Sequence, residues 1–186
     1  MFVRQAGRPD GEGIARVFAT VAEEGSIGTE PPVDVETRAA RFREMLSAGE
    51  LVMAWVLEAD GRVVGHAGLH ESGPPGVLQL GMVLLPEARG RGHGRTLLDA
   101  ILDHARAHGA HKVELEVWPD NARAIALYAK TGFQVEGLRQ DHYRRRDGSL
   151  RSTLLMAYRL TDEAGRRPSR DTASPGTAGD DAAGTP

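Results

Sequence analysis

Residues 89 to 95 read Arg-Gly-Arg-Gly-His-Gly-Arg, directly ahead of the apolar-periodic run TLLDAILDHARA. Glycine is a poor helix former, so Gly90, Gly92 and Gly94 at a helix mouth ask for a reason other than helicity. A helix start carries unpaired N–H groups and the positive end of the macrodipole. Without Cβ atoms in the way, an anion can approach those amides closely. Arg89, Arg91 and Arg95 add positive charge beside them, and His93 lies among them. The stretch reads as a pyrophosphate site. It lacks the Gly-Lys-Ser/Thr of a nucleotide-triphosphate loop, and Arg95 stands where a dinucleotide fold wants its third glycine. On these residues alone, a solvated Arg/Gly turn without a ligand remains open.

Further on, Asn121 and Tyr128 lie seven apart in NARAIALYAKTG. Seven residues differ from two full helical turns by only about 20°, so both side chains share a face. The plain reading is that Asn121 caps the helix and Tyr128 packs. Just upstream, Glu114 and Glu116 alternate with Leu115 and Val117 in KVELEVW, so both acids face one side of a strand. Glu114 is expected to be the more solvated. A third carboxylate, Glu30, sits in the loop GTEPP. Gln79 cannot act as a base.

The rest of the chain must position these groups. Strand signals at FVRQA, LVMAWVLEA, RVVGHAGLH, VLQLGMVLL, KVELEVW, FQVEGL and STLLMAYRL interleave with four apolar-periodic helices. Asp60-Gly61 marks a hairpin between the second and third strands. Asp34 can cap the second helix, which carries Phe42, Met45 and Leu46 on its apolar face. The order is βααβββαβαββ. It predicts a three-layer α/β (α+β) fold: a central mixed, mostly antiparallel sheet of about seven strands, flanked by about four helices.

Composition narrows the function. The chain has 186 residues and 40% hydrophobic content, enough for one domain. A net charge of −3 gives no whole-surface attraction to nucleic acid or acidic membrane. The absence of cysteine excludes disulfides, thiolate metal sites and a cysteine nucleophile. No apolar leader or membrane-length run is present, so a cytoplasmic protein is expected. From Thr161 on, the chain has no Leu, Ile, Val, Met or aromatic residue. Residues 1–160 are expected to be the domain and 161–186 a disordered tail. The basic run RQDHYRRRDG reads as a loop between the last two strands, with Tyr143 lining a pocket, rather than as a nucleic-acid groove. His66 and His70, four apart on a strand, read as structural, and no metal spacing is found. Trp55 and Trp118 read as core or pocket wall.

With these residues in view, the chain resembles the GCN5-related N-acetyltransferase (GNAT) superfamily. Its acetyl-CoA signature, Arg/Gln-x-x-Gly-x-Gly/Ala, is matched by Arg89 to Gly94, and DNARAIALYAKTGFQVEG looks like its second motif. The similarity spans roughly Phe2 to Leu160. It implies splayed strands at the cofactor site, with the pantetheine arm on backbone groups of Met82, Val83 and Leu84. It places the pyrophosphate on the amides from Arg89 to Arg95, with Asn121 bonding the arm. It implies Tyr128 as the acid for the departing thiolate and Glu116 as general base, with Glu30 the second candidate. The acceptor implied is a primary amine of a small molecule, an amino acid or related compound by its Thr-Glu-Pro loop. A protein N-terminus, as in ribosomal-protein acetyltransferases, or a non-catalytic acyl-CoA-binding module are the alternatives. Acetyl-CoA would be the co-substrate and no metal is implied. No nucleic acid or membrane partner is expected, and a homodimer stays open.

Overall fold

The computed structural model describes residues 1–48, 53–71 and 73–160. The tail expected over 161–186 lies outside the described residues, as do Leu51 and Val52 of the second predicted strand.

Seven strands form one sheet. They are β1 (Phe2–Gln5), β2 (Met53–Ala59), β3 (Arg62–Glu71), β4 (Val77–Leu84), β5 (Lys112–Val117), β6 (Gln134–Arg144) and β7 (Leu150–Arg159). The spatial order is β1-β2-β3-β4-β5-β7-β6. Every neighbouring pair is antiparallel except β4 and β5. The helices are α1 (Gly11–Glu23), α2 (Val35–Ala48), α3 (His93–Ala107) and α4 (Ala122–Thr131).

Each helix follows from its apolar stripe. On one face of the sheet, Ile14 and Ala15 of α1 and Ala39 and Phe42 of α2 bury against Val56. On the other, Leu97, Leu98, Ile101 and Leu102 of α3 form the largest core, with Leu69, Leu80, Val113 and Leu115 from the sheet and Tyr128 and Phe133 from the α4 region. Burying each such aliphatic side chain is worth about 1.5–3 kcal/mol. Asp34 accepts from the amide of Thr37 and so caps α2, as its position implies. Gly132 closes α4 in the left-handed conformation, at φ 111°.

Two features differ from the sequence expectation. The basic stretch after Leu138 is not a loop: β6 runs through it to Arg144, and the turn is confined to residues 145–149. Its pairing with β7 is irregular between Arg139 and Tyr143, where Asp141 takes a positive φ of 50°. That bulge hides the period-2 pattern by which a strand is read. The two histidines also part company. His66 is buried, with its ring 6.0 Å from that of Phe18 and 5.7 Å from that of Phe42. His70 is exposed towards the end of β3.

The sheet opens where the site lies. β4 pairs with β5 only from Val77 to Gln79, against Lys112 to Glu114. Beyond that the two strands no longer pair, while β5 continues against β7 through Val117.

Candidate active site

The opening between β4 and β5 is the floor of one cleft of about 1090 Å³. Its wall includes Met82, Val83 and Leu84, the turn residues Arg89, Gly90, Gly92, Gly94 and Arg95, and Asn121 and Tyr128 of the α4 segment. Glu116, Trp118 and Tyr143 line it as well, as do Phe18 of α1 and Ser26 to Thr29 after it. Arg91 and His93 of the motif do not line it.

The β4 edge has a defined polarity. The amide of Leu85 donates to the Val64 carbonyl on β3, and the antiparallel register continues from there as Leu84 against Gly65 and Val83 against His66. Backbone groups alternate between the two sides of such a strand. Val83 therefore spends its backbone on β3, and Met82 and Leu84 turn theirs into the opening. The Leu84 carbonyl already accepts from the Arg89 guanidinium, at 2.9 and 2.7 Å. Of the three residues implied for an extended arm, Met82 offers both backbone groups, Leu84 its amide, and Val83 only its side chain.

The glycine turn is an amide cradle narrower than the motif. The Arg89 amide donates to Pro86, and the Arg95 amide to Gly92. The amides of Gly90, Arg91, Gly92, His93 and Gly94 donate to no carbonyl among the described residues. Gly90 and Gly92 hold positive φ of 74° and 84°, which side chains resist, and a Cβ on either would stand in open space. Gly94 differs: its Cβ would come within 3.2 Å of Leu127, so its smallness serves the approach of α3 and α4. The cations are less free than the motif suggests. Arg89 pairs with Glu24 at 2.8 Å, and Arg95 with Asp99 at 2.7 Å.

Asn121 caps α4, its Oδ1 accepting from the Ala124 amide at 3.2 Å. Tyr128 is buried at 6% exposure and packs on Phe133, with no hydrogen-bond partner for its hydroxyl among the described residues. Burial pushes the phenol up to about 12, so it holds its proton at any physiological pH.

Glu116 is the centre of a network that joins β5 to β6 across the intervening β7. Its Oε2 accepts from the Tyr143 hydroxyl at 2.7 Å, and its Oε1 from Arg139 at 2.5 Å. Burial, then the bond to Glu116, pushes the Tyr143 phenol up to about 12. Tyr143 in turn packs edge-on against Trp118 at 5.2 Å. Glu114 is taken by Lys112 instead and is the more exposed acid, as expected.

Glu30 does not line the cleft. Its carboxylate accepts from the Arg146 amide at 3.0 Å and faces Arg145 at 3.7 Å. It belongs to a clamp between the α1–α2 loop and the β6–β7 turn. Arg145, Arg146 and Arg151 donate to the carbonyls of Gly28, Pro31 and Gly25. Arg145 and Arg146 of the basic run are thereby spent on holding that loop. Arg139 and Glu24 carry no local signal in the sequence; only the strand order brings them to the site. No group of three or more His, Asp or Glu side chains among the described residues is placed to hold a metal ion. Among the described residues, no helix is long and apolar enough to cross a membrane.

Comparison with known proteins agrees with this geometry. The profile of the Acetyltransferase (GNAT) family matches residues 18–133. The chain is 30% identical over 140 residues to the L-methionine sulfoximine/L-methionine sulfone acetyltransferase of Pseudomonas aeruginosa, covering 73% of this chain and 81% of that protein. It is 44% identical over 87 residues to N-alpha-acetyltransferase RimI of Mycobacterium tuberculosis, covering 45% of this chain and 53% of that one. Among solved structures, the ribosomal-protein-alanine N-acetyltransferase from Brucella melitensis superposes with a TM-score of 0.75 at 26% identity, over 86% of this chain and 99% of the other. This chain belongs to the GNAT family of acetyltransferases.

Proposed function

We propose that this protein transfers the acetyl group of acetyl-CoA to the primary amine of a small molecule, an amino acid or a related compound. The observation that carries the reading is that one cleft joins an anion cradle, an open strand edge, a protonated phenol and a partly buried carboxylate. The cradle from Gly90 to Gly94 fits a pyrophosphate. The Met82 backbone and the Leu84 amide fit an extended amide-bearing arm, as one more strand would. Acetyl-CoA supplies the activated thioester. Asn121 keeps its side-chain NH₂ available to the arm while its oxygen caps α4. Tyr128 gives its proton to the sulfur as the C–S bond breaks, because a buried phenol is a reliable donor at neutral pH. Glu116 receives, through water, the proton that the acceptor amine must lose before its nitrogen forms the new C–N bond. Glu30, held by Arg145 and Arg146, is set aside as base.

The small-molecule choice is supported by the Pseudomonas relative, whose name is that of an enzyme acting on methionine sulfoximine and sulfone. A protein N-terminus is the second reading, favoured by the likeness to N-alpha-acetyltransferase RimI over 87 residues. The test is release of coenzyme A in the presence of acetyl-CoA and a panel of amines, with products identified by mass. Acetylation of amino acids supports the first reading. Acetylation restricted to peptide N-termini supports the second, and cofactor binding without turnover on any amine refutes both.

A further inference from the structure

Four arginines of the β6–β7 hairpin, Arg139, Arg145, Arg146 and Arg151, stand behind the Glu116 and Trp118 wall of the cleft, and three are committed more than once. Arg145 holds the Gly28 carbonyl and faces Glu30; Arg146 holds the Pro31 carbonyl and, by its amide, Glu30; Arg151 holds the Gly25 carbonyl and Asp120. Arg145 and Arg151 also stack on Trp118, at 5.8 and 4.6 Å from the ring centroid. Arg139 is different. Its one ion pair among the described residues is to Glu116, and its side chain is 44% exposed.

We propose that Arg139 binds the carboxylate of an α-amino-acid acceptor while Glu116 takes the amine of the same molecule. The inference rests on the N-acetyltransferase reading above and names the acceptor class and the residue that selects it. The charges of the Arg139–Glu116 pair are the mirror of a zwitterion: cation beside anion, with Glu116 on the wall of the cleft and Arg139 next to it on the same side of the sheet. Arg139 and Glu116 project from that side because Arg139 is opposite Thr153 on β7, Glu116 is opposite Leu155, and residues two apart on a strand share a face. An amino acid entering between them replaces one ion pair with two, and the planar guanidinium suits a carboxylate bidentately. Glu116 does not drift when Arg139 turns to the newcomer, because the Tyr143 hydroxyl holds its other oxygen. A carboxylate-free amine leaves Arg139 and Glu116 competing with the acceptor for each other. Discrimination then falls on acceptor KM rather than on the chemical step.

The experiment pairs L-α-amino acids, methionine sulfone among them, with their carboxamides, on wild type and Arg139→Gln. The expected result is a rise of tenfold or more in KM for the acids in Arg139→Gln, with KM for the carboxamides level or lower, because Glu116 is then released to the amine. Arg139→Lys should recover part of the loss for the acids. Calorimetric titration of the acids onto the coenzyme A complex reads the same preference without turnover, and should show the same loss in Arg139→Gln. Equal changes for acid and carboxamide, no change in either, or a wild type that binds the carboxamide as tightly as the acid would overturn the proposal. A wild type that acetylates peptides or carboxamides but shows no carboxylate-dependent binding overturns it while leaving acetyl transfer intact. No turnover on any amine refutes the function itself, and the calorimetric arm still decides whether Arg139 binds a carboxylate.

Discussion

Tyr128 and Glu116 answer to different variables, which lets each be tested by a single atom change. Tyr128→Phe keeps the ring on Phe133 and removes the hydroxyl, and with it the proton to be donated. Loss of a positioned acid costs on the order of 10²-fold in rate, so kcat should fall by roughly that much while the acetyl-CoA dissociation constant stays put. Full activity in this variant would remove Tyr128 from the mechanism. Glu116→Gln is nearly isosteric and still accepts from Tyr143, but cannot take a proton. Its rate deficit should be largest below the pKa of the acceptor amine and shrink as pH rises, because more acceptor arrives neutral. Tyr128→Phe should show no such rescue, since a phenol held at about 12 does not titrate in that window. A pH–rate profile of Glu116→Gln that parallels the wild type would mean that another group takes the proton.

The elements around these residues were legible to different degrees, for a physical reason. The order of seven strands and four helices follows from local periodicity, which is encoded within about ten residues of itself. Helix caps at Asp34 and Asn121, and the positive-φ glycines, are equally local. The Glu116 network is not: Arg139 and Tyr143 lie 23 and 27 residues away in the chain, and their meeting depends on β7 inserting between β5 and β6. The Glu30 clamp spans 116 residues and was invisible for the same reason. Equivalence among the glycines also fails at this scale. A side chain at Gly92 would project into open space, whereas one at Gly94 would press on Leu127. Gly92→Val should therefore abolish or severely weaken acetyl-CoA binding by calorimetry at a folding cost of about 1–2 kcal/mol for the left-handed backbone. Gly94→Val confounds binding with helix packing. Unchanged affinity in a folded Gly92→Val protein would show that the cradle does not bind the pyrophosphate.

For the molecule as a whole, a titratable group lies buried between the α1–α2 layer and the sheet. His66 on β3 is enclosed by Phe18 of α1 and Phe42 of α2, and its Nδ1 lies 3.2 Å from the Trp55 carbonyl. Burial pushes the imidazole down to about 4, against a usual value of 6.5, and the bond to Trp55 and the charge of Asp10 offset only part of that. The folded protein thus binds this proton less readily than the unfolded chain. Its stabilising share is complete above pH 6.5 and is lost as pH falls towards 4, a change on the order of 3 kcal/mol. Asp10, held below the usual carboxylate range chiefly by its bond to Arg4, extends the loss to still lower pH. His66→Leu removes the titration and one of the bonds to the Trp55 carbonyl, which the β2–β3 ladder still pairs, a loss of about 0.5–1.5 kcal/mol. Chemical denaturation across pH 4 to 8 should show the variant less stable than wild type at pH 7.5, with the gap closing as pH drops through 6.5 to 4.5. Parallel curves over that range would mean that His66 is protonated with equal ease in the folded and unfolded chain.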